Sequence, residues 1–373
     1  MSLPNKLQPY REEIMSLSKS GLSCNKIRVI LKDKHGLDTS RKHIGIYLRN
    51  QNKFAKELSS NDFQFTDKWS YGWLKTKEAS IFIKNETEEK DNFKALTEEF
   101  LELVASHAPA YPLINRDALT EAHLLVVDPC DVHIGKLASV VETKEEYNNS
   151  IAVQRVREGI DGIISKSMPY KVDKVLLIAG NDILHIDTIK RTTTAGTAQD
   201  TDGTWHECFI IAKKLMIEVI EKLLTIADVH VVFNPSNHDF MSGFFLLDSV
   251  KSWFRNCENI TWDTDMTHRK YFKYHENLIG TTHGDGAKQA DLPLLMASEA
   301  GQAWVSKHRY IYGHHIHHKV SKDYIGVTFE SMRSPSSADG WHSRAGYQHA
   351  PKAIEGFLHH PIHGQVSRIT HIF

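Results

Sequence analysis

From about residue 121 onward, short apolar runs alternate with longer stretches of helical periodicity. This alternation limits the available folds more than any other feature of the 373-residue chain. The apolar runs predict β-strands at residues 123–127, 174–179, 229–233, 278–282 and 309–312. The periodic stretches predict helices at residues 150–168, 204–227 and 243–256. Strands that alternate with helices form β-α-β crossovers, so we expect an α/β or α+β core built in layers.

Each predicted strand is followed by a cluster of Asp, Asn or His. In layered α/β folds, ligands bind beyond the carboxyl ends of the strands, where such side chains meet. One cluster is weak evidence, but five in succession predict a single convergent site. In chain order the clusters contain Asp131 and His133, then Asp182, His185 and Asp187, then Asn237, His238 and Asp239, then His283, and finally His314, His315, His317 and His318.

The last cluster follows the apolar run of residues 310–313 and places four histidines within five residues. Residues i and i+2 of an extended segment face the same side, so a His-x-His pair delivers two imidazoles to one point. Neutral imidazole is the commonest side-chain ligand for transition metals. Alone, this run fits a His-rich surface turn as well as a metal site, but its position as the fifth cluster of an ordered series favours the metal site.

The residue types of the clusters match the needs of two adjacent divalent cations. Each cation takes about five or six ligands, and carboxylates together with imidazoles suit Mn²⁺, Fe²⁺ or Zn²⁺. One carboxylate must bridge the two ions to offset their mutual repulsion. Such a pair, about 3.5–4 Å apart, deprotonates a bridging water and holds the phosphoryl oxygens for in-line attack. The clusters therefore predict phosphoester hydrolysis.

The order of the motifs over about residues 123–320 resembles the calcineurin-like metallophosphoesterases. That family has Asp-x-His, Gly-Asp, Gly-Asn-His-Asp/Glu, a lone His and Gly-His-x-His in this sequence order. The resemblance implies an α/β (α+β) fold, a two-sheet metallophosphoesterase sandwich flanked by helices, with the catalytic domain at residues 121–373. It also implies two divalent ions per chain, with Mn²⁺ expected first and Fe²⁺, Zn²⁺ or Mg²⁺ as alternatives.

The resemblance also assigns a role to each motif residue. The implied ligands of the first metal are Asp131, His133 and His317, the bridging ligand is Asp182, and the ligands of the second metal are Asn237, His283 and His315. His238 would contact the phosphate and protonate the leaving oxygen, with Asp239 orienting it. His185 would lie near the scissile phosphate, as in the DNA-repair-nuclease branch of the family, or would be a buried histidine that supports its neighbours.

The chain departs from the family pattern at three places. Asn181 interrupts the Gly-Asp motif, and Ser236 replaces the Gly of Gly-Asn-His-Asp, where its hydroxyl would serve as a cap. The final motif is one residue longer than Gly-His-x-His. His315 and His317 alternate correctly along a strand, whereas His314 and His318 pair equally well by spacing, so the register of this motif stays open.

The N-terminal region differs in charge from the rest of the chain. Residues 1–57 hold 12 Lys and Arg against 5 Asp and Glu, a net charge of about +7, and the remaining 316 residues carry about −8. Three short helices predicted within residues 9–52 resemble a helix-turn-helix DNA-binding domain over residues 1–55. The residues expected to face DNA are Arg41, Lys42, His43 and Arg49. The alternative is a small helical module whose charges are merely solvated.

Residues 56–120 form a predicted connecting region that is rich in aromatic residues. Two short strands are expected before residue 85, and a helix is expected over residues 86–108. The aromatic side chains beside lysines could stack on bases, although they more often belong to a core. They are Phe63, Phe65, Trp69 and Trp73.

The predicted activity is divalent-metal-dependent hydrolysis of nucleic-acid phosphodiester bonds, with DNA as the expected partner. The loop of residues 188–203 carries Lys190 and Arg191 and could grip a nucleic-acid backbone. The chain resembles phosphoesterases of phages and mobile elements that join a DNA-binding head to this core. Alternatives are a nucleotide phosphodiesterase, a protein phosphatase, and a DNA-binding adaptor with a vestigial metal site.

The sequence also bears on location and assembly. The four cysteines show no Cys-x-x-Cys spacing and are expected to be reduced thiols in a cytoplasmic setting, inside a bacterial, phage-infected or host cell. No apolar stretch approaches the roughly 20 residues needed to cross a membrane, so no membrane partner is expected. The sequence leaves a homodimer open.

Overall fold

The computed structural model describes residues 6–49, 71–75, 80–84 and 109–373. The chain divides into two compact units, Met1–Leu101 and Glu102–Phe373, and each is described by itself. Phe63, Phe65, Trp69 and the helix predicted over residues 86–108 lie outside the described residues.

Within residues 6–49, the first unit contains three α-helices, α1 at Arg11–Lys19, α2 at Cys24–His35 and α3 at residues 41–49. Local signals set their ends. The Ser23 hydroxyl accepts a hydrogen bond from the Lys26 amide at the start of α2, and Gly36 ends α2 in the left-handed conformation. Apolar residues of all three helices form one core: Ile14, Ile27, Leu31, Ile44, Tyr47 and Leu48. The three helices predicted here are confirmed, and DNA binding by them stays a prediction.

Two further strands of the first unit, β1 at Tyr71–Lys75 and β2 at Ser80–Lys84, pair antiparallel. They match the two strands predicted before residue 85.

The second unit combines strands and helices in alternation. Its strands are β3 His123–Asp128, β4 Val172–Gly180, β5 Asp228–Asn234, β6 Ile260–Asp263, β7 Arg269–Tyr274, β8 Asn277–Thr282, β9 His308–Gly313, β10 Val320–Tyr324, β11 Val327–Ser331, β12 Ala353–His360 and β13 Gly364–Ile372. Its helices are α4 Val140–Thr143, α5 Asn149–Ser167, α6 Trp205–Leu224, α7 Phe240–Trp253, α8 Leu292–Glu299 and α9 Gly340–Ala345.

These strands form two sheets. The first has the order β13-β12-β3-β4-β5-β6, and its strands β3 to β6 run parallel, joined by α5, α6 and α7. The second has the order β10-β11-β9-β8-β7, with β8, β9 and β11 parallel. Because β3, β4 and β5 run in one direction, the loops that follow them leave from the same edge of the first sheet.

Apolar side chains fill the space between the two sheets and the space outside them. Residues of both sheets share one cluster, which includes Leu124 of β3, Leu176 of β4, Ile279 of β8 and Tyr312 of β9. The other face of the first sheet packs against α5, α6 and α7 in the largest cluster, and α8 covers the outer face of the second sheet. This arrangement confirms the predicted two-sheet α/β sandwich flanked by helices.

Every strand and helix predicted from about residue 121 onward is present, with helix boundaries shifted by a few residues. The described helices include none that combines the length and apolarity needed to cross a membrane. All four cysteines are unpaired, and Cys130, Cys208 and Cys257 are buried.

Candidate metal centre

The loops that follow the parallel strands are joined to one another by backbone hydrogen bonds. The Asp131 amide donates to the Asn181 carbonyl at 2.8 Å, and the His133 amide donates to the Asp182 carbonyl at 2.9 Å. The Asn181 amide in turn donates to the Asn234 carbonyl at 3.1 Å. The sheet's hydrogen bonding therefore continues past the strand ends and fixes three ligand-bearing loops relative to each other.

Several of these loop residues have left-handed backbone conformations. They are Asp131, His133, Asn181, Asp182, His315 and His317, with φ between 49° and 73°. Asp, Asn and His are enriched in this region among residues other than glycine, yet each costs on the order of 1 kcal/mol or more. Such strain persists only where the surrounding structure fixes it, and it concentrates at functional sites. Here it turns successive ligand side chains toward one point.

The first set of donors, which we call the closed group, consists of Asp131, His133 and His317. The Nε2 atoms of His133 and His317 lie 3.3 Å apart, and His317 Nε2 lies 3.3 Å from Asp131 Oδ1. Asp131 and His133 are buried, and Asp131 Oδ1 is a buried atom with no hydrogen-bond partner. Three potential metal-binding atoms of two residue types thus converge on one point.

The second set, the open group, consists of Asn237, His283 and His315. His283 Nε2 lies 2.9 Å from Asn237 Oδ1 and 3.2 Å from Asp182 Oδ2. Ligand atoms of Asp182, His283 and His315 lie within 4.8 Å of one another, and His315 is exposed. Asp182 Oδ2 is also 4.0 Å from His133 Nε2, so the Asp182 carboxylate lies between the two groups.

The donor separations fit divalent ions. An ion bound at about 2.1 Å places adjacent ligand atoms roughly 3.0–3.4 Å apart in tetrahedral or octahedral geometry. The closest donor pairs within each group are 2.9–3.3 Å apart. Together with the unpartnered Asp131 oxygen, these distances show that the residues present suit one ion in each group.

Electrostatics differ between the two groups. Burial lowers the pKa of His133 well below its usual range, and neighbouring histidines lower it further. Burial also opposes the charged form of His283, but the Asp182 carboxylate outweighs it and raises the His283 pKa to about 9. Although burial acts to raise the pKa of Asp182, the adjacent His283 lowers it overall. The closed-group imidazole His133 is therefore neutral and ready to bind a metal.

His185 supports two other histidines and is itself buried. Its Nδ1 lies 3.2 Å from His133 Nδ1, and its backbone carbonyl accepts a hydrogen bond from His238 Nδ1 at 2.9 Å. Of the two roles considered for His185, the geometry favours the supporting one, because the ring fixes the orientation of His133. Burial lowers the pKa of His185 well below its usual value.

The structure corrects the role predicted for Asp239. His238 is oriented by the His185 carbonyl, whereas Asp239 is buried and accepts hydrogen bonds from the Leu184 amide at 2.8 Å and the Ser236 hydroxyl at 2.7 Å. Burial, reinforced by Asp182, raises the Asp239 pKa to about 7. Asp239 immediately precedes α7, and its carboxyl group points back to the loop that carries Asp182 instead of toward the ring of His238.

The two substituted motif positions have structural explanations. The Ser236 hydroxyl accepts a hydrogen bond from the Asp182 amide at 2.7 Å, as expected for a cap. Asn181 adopts a φ of 54° and is fully buried, and the preceding Gly180 has a φ of 83°. A Cβ at Gly180 would lie 2.4 Å from the Asn234 carbonyl oxygen, so the chain can turn here only with glycine.

The final histidine motif places His315 and His317 at the donor groups. His314 is buried, donates from Nδ1 to the Thr282 carbonyl at 2.8 Å, and its Nε2 lies 2.9 Å from Asp128 Oδ2. His318 is exposed and donates from Nδ1 to the Ile316 carbonyl at 2.7 Å. His314 also lies near Cys130 in a buried set with Asp128, but its two ring nitrogens already have partners.

Sequence reasoning missed three residues beside the closed group. Lys136 is 1% exposed, and its ammonium group lies 3.1 Å from Asp339 Oδ2. Asp339 Oδ1 is 2.7 Å from His342 Nδ1, and the His342 ring stacks on His317 with centroids 5.3 Å apart. The position of Lys136 three residues after His133 was a usable signal, but the partners come from a loop about 200 residues away.

The loop of residues 188–203 is ordered by its own hydrogen bonds and an isolated bridge between Thr192 and Ala198. Lys190 and Arg191 are exposed on it. Asp187, which precedes the loop, accepts hydrogen bonds from the Met241 and Ser242 amides and thereby caps α7.

In the first unit, the residues expected to face DNA lie on α3. Arg41, Lys42 and Arg49 are exposed and His43 is half-buried. The His43 amide donates to the Ser40 hydroxyl at 3.2 Å, which caps the helix.

Comparisons with known proteins give fold-level likenesses only. No protein-family model matches the chain, and no curated protein does. Among solved structures, Vps29 from Entamoeba histolytica complexed with Zn²⁺ is 13% identical, with 67% of this chain and 98% of that chain covered and a TM-score of 0.28. A predicted phosphoesterase from Streptococcus pneumoniae TIGR4 is 12% identical, with 68% and 99% covered and a TM-score of 0.28. A hypothetical protein from Pyrococcus horikoshii OT3 is 11% identical, with 66% and 87% covered and a TM-score of 0.32. We draw no conclusion from scores this low.

Proposed function

We propose that this chain is a divalent-metal-dependent phosphodiesterase of the calcineurin-like metallophosphoesterase type that cleaves nucleic acid, with DNA as its substrate. One observation carries the proposal: donors from five strand-end loops meet as the closed and open groups, with the Asp182 carboxylate between them. Mn²⁺ is the expected ion, with Fe²⁺, Zn²⁺ or Mg²⁺ as alternatives, because imidazoles together with the shared Asp182 carboxylate suit such divalent ions.

The chain's own residues supply the remaining chemistry. Bound divalent ions lower the pKa of water to provide a nucleophile and offset the charge of the phosphoryl oxygens. The His238 amide donates to Asp182 Oδ1 at 3.0 Å, so the shared carboxylate and the histidine are fixed to each other. His238 Nδ1 donates a hydrogen bond to the His185 carbonyl. Nε2 is therefore the ring nitrogen that would give a proton to the leaving oxygen.

His238→Ala tests this division of roles. We expect the variant to retain both metal ions, because the His238 ring is not one of the ligands assigned to the closed or open group, and to lose about 10²- to 10⁴-fold in kcat. Metal analysis and steady-state kinetics on a small phosphodiester measure the two effects. Loss of metal from the variant would contradict the assigned role.

Nucleic acid is the proposed substrate because the N-terminal region carries a net charge of about +7 over residues 1–57 and exposes cations along α3. Arg41→Ala combined with Lys42→Ala should weaken DNA binding and make its dependence on salt less steep, since each phosphate contact contributes about 0.9 to the slope. The matched control replaces the exposed Lys273 and Lys307 by alanine, remote from α3 in sequence.

The deciding experiment for the proposed function measures bound metal and Mn²⁺-dependent cleavage of end-labelled single- and double-stranded DNA. We expect two ions per chain and cleavage products that disappear on chelation. A protein that hydrolyses a small phosphodiester but no nucleic acid would instead be a nucleotide phosphodiesterase or a protein phosphatase. A chain that binds no metal would be a binding module, and the proposal would fail.

A further inference from the structure

A series of aromatic rings leads from the closed group to the protein surface. The His342 ring stacks on His317, and the neighbouring Trp341 ring meets the His342 ring edge-on with centroids 5.0 Å apart. Trp341 and Tyr347 lie side by side with centroids 5.9 Å apart. They are 60% and 62% exposed, respectively. Two large aromatic rings thus share an exposed surface beside a metal-ligand histidine.

These exposed rings are held on a rigid support. The Asp339 carboxylate accepts a hydrogen bond from the His342 amide at 3.0 Å and caps α9, and the same carboxylate pairs with the buried Lys136. A Cβ on Gly340 would lie 2.6 Å from Glu142 Oε1, so α9 packs closely on α4. The Tyr347 amide donates to the His342 carbonyl at 2.9 Å, which fixes the residue after the helix. Stacking on these rings therefore costs little conformational entropy.

A cleft that His317 and Tyr347 help to line is formed mostly by polar side chains and includes the cation Lys352. Among the described residues, the Lys352 ammonium group donates one hydrogen bond, to the Gln348 carbonyl at 3.3 Å, and its remaining protons are available to an anion. The Tyr347 hydroxyl and the His342 Nε2 atom make no hydrogen bond within the described residues. The residues lining the cleft include His317, Ser336, Ser337, His342, Tyr347 and Lys352.

The chemistry of this surface selects one class of ligand. A flat aromatic group would stack on Trp341 and Tyr347, while an anion next to it would face Lys352 and the metal donors. A nucleotide combines both features, because its base is covalently linked to a phosphate through one sugar. An unmodified aromatic side chain of a protein partner lacks the anion.

We propose that Trp341 and Tyr347 form a stacking platform for the nucleobase next to the scissile phosphate. The inference rests on the proposed phosphodiesterase function and narrows its substrate. Bases inside a duplex are already stacked on each other, so the platform serves single strands or frayed ends, where each base offers a free face. Because every base has such a face, the platform selects strandedness and tolerates any sequence.

The catalytic test compares an ordinary single-stranded oligonucleotide with an abasic oligonucleotide of the same length. Trp341→Ala and Tyr347→Ala should each lower kcat/KM on the ordinary strand by roughly 5- to 100-fold and leave the abasic strand within about twofold. Trp341→Phe should recover most of the loss. Tyr170→Ala is the matched control, because Tyr170 is 37% exposed and precedes β4 at the opposite end of that strand from the metal centre. Equal losses on both strands, or no loss on either, would overturn the platform.

A binding test separates the platform from catalysis. The probe is a trinucleotide containing 2-aminopurine, whose fluorescence falls when it stacks, and the protein is the full chain carrying Asp182→Asn. We expect quenching that disappears when Trp341→Ala is added and persists with Tyr170→Ala. If the unmodified protein cleaves no nucleic acid but this quenching is observed, the proposed reaction fails and the platform stands. If DNA is cleaved but quenching is absent, the platform fails and the reaction stands.

Discussion

The closed and open groups present similar ligand atoms, but the protein encloses them to different degrees. In the closed group, Asp131 and His133 are buried, and the second ring nitrogen of His133 contacts His185. In the open group, His315 is exposed and Asn237 contributes a neutral amide oxygen. Ligands fixed by neighbouring side chains lose less freedom when an ion binds, so enclosure, more than ligand type, should determine which ion is held more tightly.

The groups also differ in the charge their neighbours impose. Burial and surrounding histidines lower the pKa of His133, so the closed group favours neutral imidazole. The Asp182 carboxylate outweighs burial at His283 and favours its charged form when no ion is bound. An ion entering the open group must displace that proton, whereas an ion entering the closed group displaces none from His133.

The largest expected effect comes from the residue that both groups share. Asp182→Asn keeps the acceptor for the His238 amide, so the fold should be retained, but it removes the negative charge between the groups. We expect activity to fall by about 10³-fold or more and the bound metal to drop below two ions per chain. Kinetics and metal analysis test this, with circular dichroism to verify folding. Full metal content in an inactive variant would show that Asp182 does not serve both groups.

The second prediction uses the opposite pKa shifts of the two groups in the metal-free protein. The folded-state pKa of His133 lies below its unfolded value of 6.5, so stability is lost as the pH falls below about 6.5. The His283 pKa is raised to about 9, so its contribution is complete below pH 6.5 and is lost as the pH rises through 9. The contribution of His283 to the free energy of unfolding is at most about 3 kcal/mol.

Urea unfolding of chelator-treated protein between pH 5 and 9.5 measures both limbs of this stability curve. His283→Asn should flatten the alkaline limb and leave the acid limb in place. An unchanged alkaline slope in this variant would show that His283 does not cause the loss of stability at high pH, and it would contradict the electrostatic difference between the groups.

The third prediction concerns the support that only the closed group has. His185→Ala removes the ring that faces His133 Nδ1, and it leaves the backbone carbonyl that holds His238. We expect the affinity for one ion to weaken by about 10- to 100-fold and the other affinity to change little. Calorimetric metal titration resolves the two sites. If both affinities fall equally, the enclosure of the closed group is not the cause of its stronger binding.

The sequence predicted the strands of the parallel core because their residues are uniformly apolar, as in Leu124 to Val127 of β3. It did not place β12 and β13 in the same sheet. β12 contains Glu355 and His359, which are fully buried and interrupt the apolar pattern. Glu355 is paired with Arg333 at 2.7 Å and Arg368 at 2.6 Å, so its burial depends on partners 22 and 13 residues away along the chain.

The identity of the candidate ligands was predictable, but their geometry was not. Residue type and position after each strand were enough to nominate Asp131, Asp182 and His283. The left-handed backbone of Asp131 and Asp182 is stabilised by bonds between loops, and no local pattern encodes it. Likewise, the family resemblance implied that Asp239 orients His238, whereas a backbone carbonyl, which any residue could supply, performs that task.

The smallest expected effect comes from Ser236, which supports the shared carboxylate through the backbone. Ser236→Ala removes the acceptor of the Asp182 amide and a donor to Asp239, and it leaves a buried N–H without a partner. We expect a loss of about 1–3 kcal/mol in the free energy of unfolding and a severalfold fall in activity. Since Ser236 acts on the loop of Asp182, both metal affinities should weaken together, in contrast to His185→Ala. A loss confined to one ion would mean that the carboxylate is held asymmetrically, with Ser236 supporting only the group that weakens.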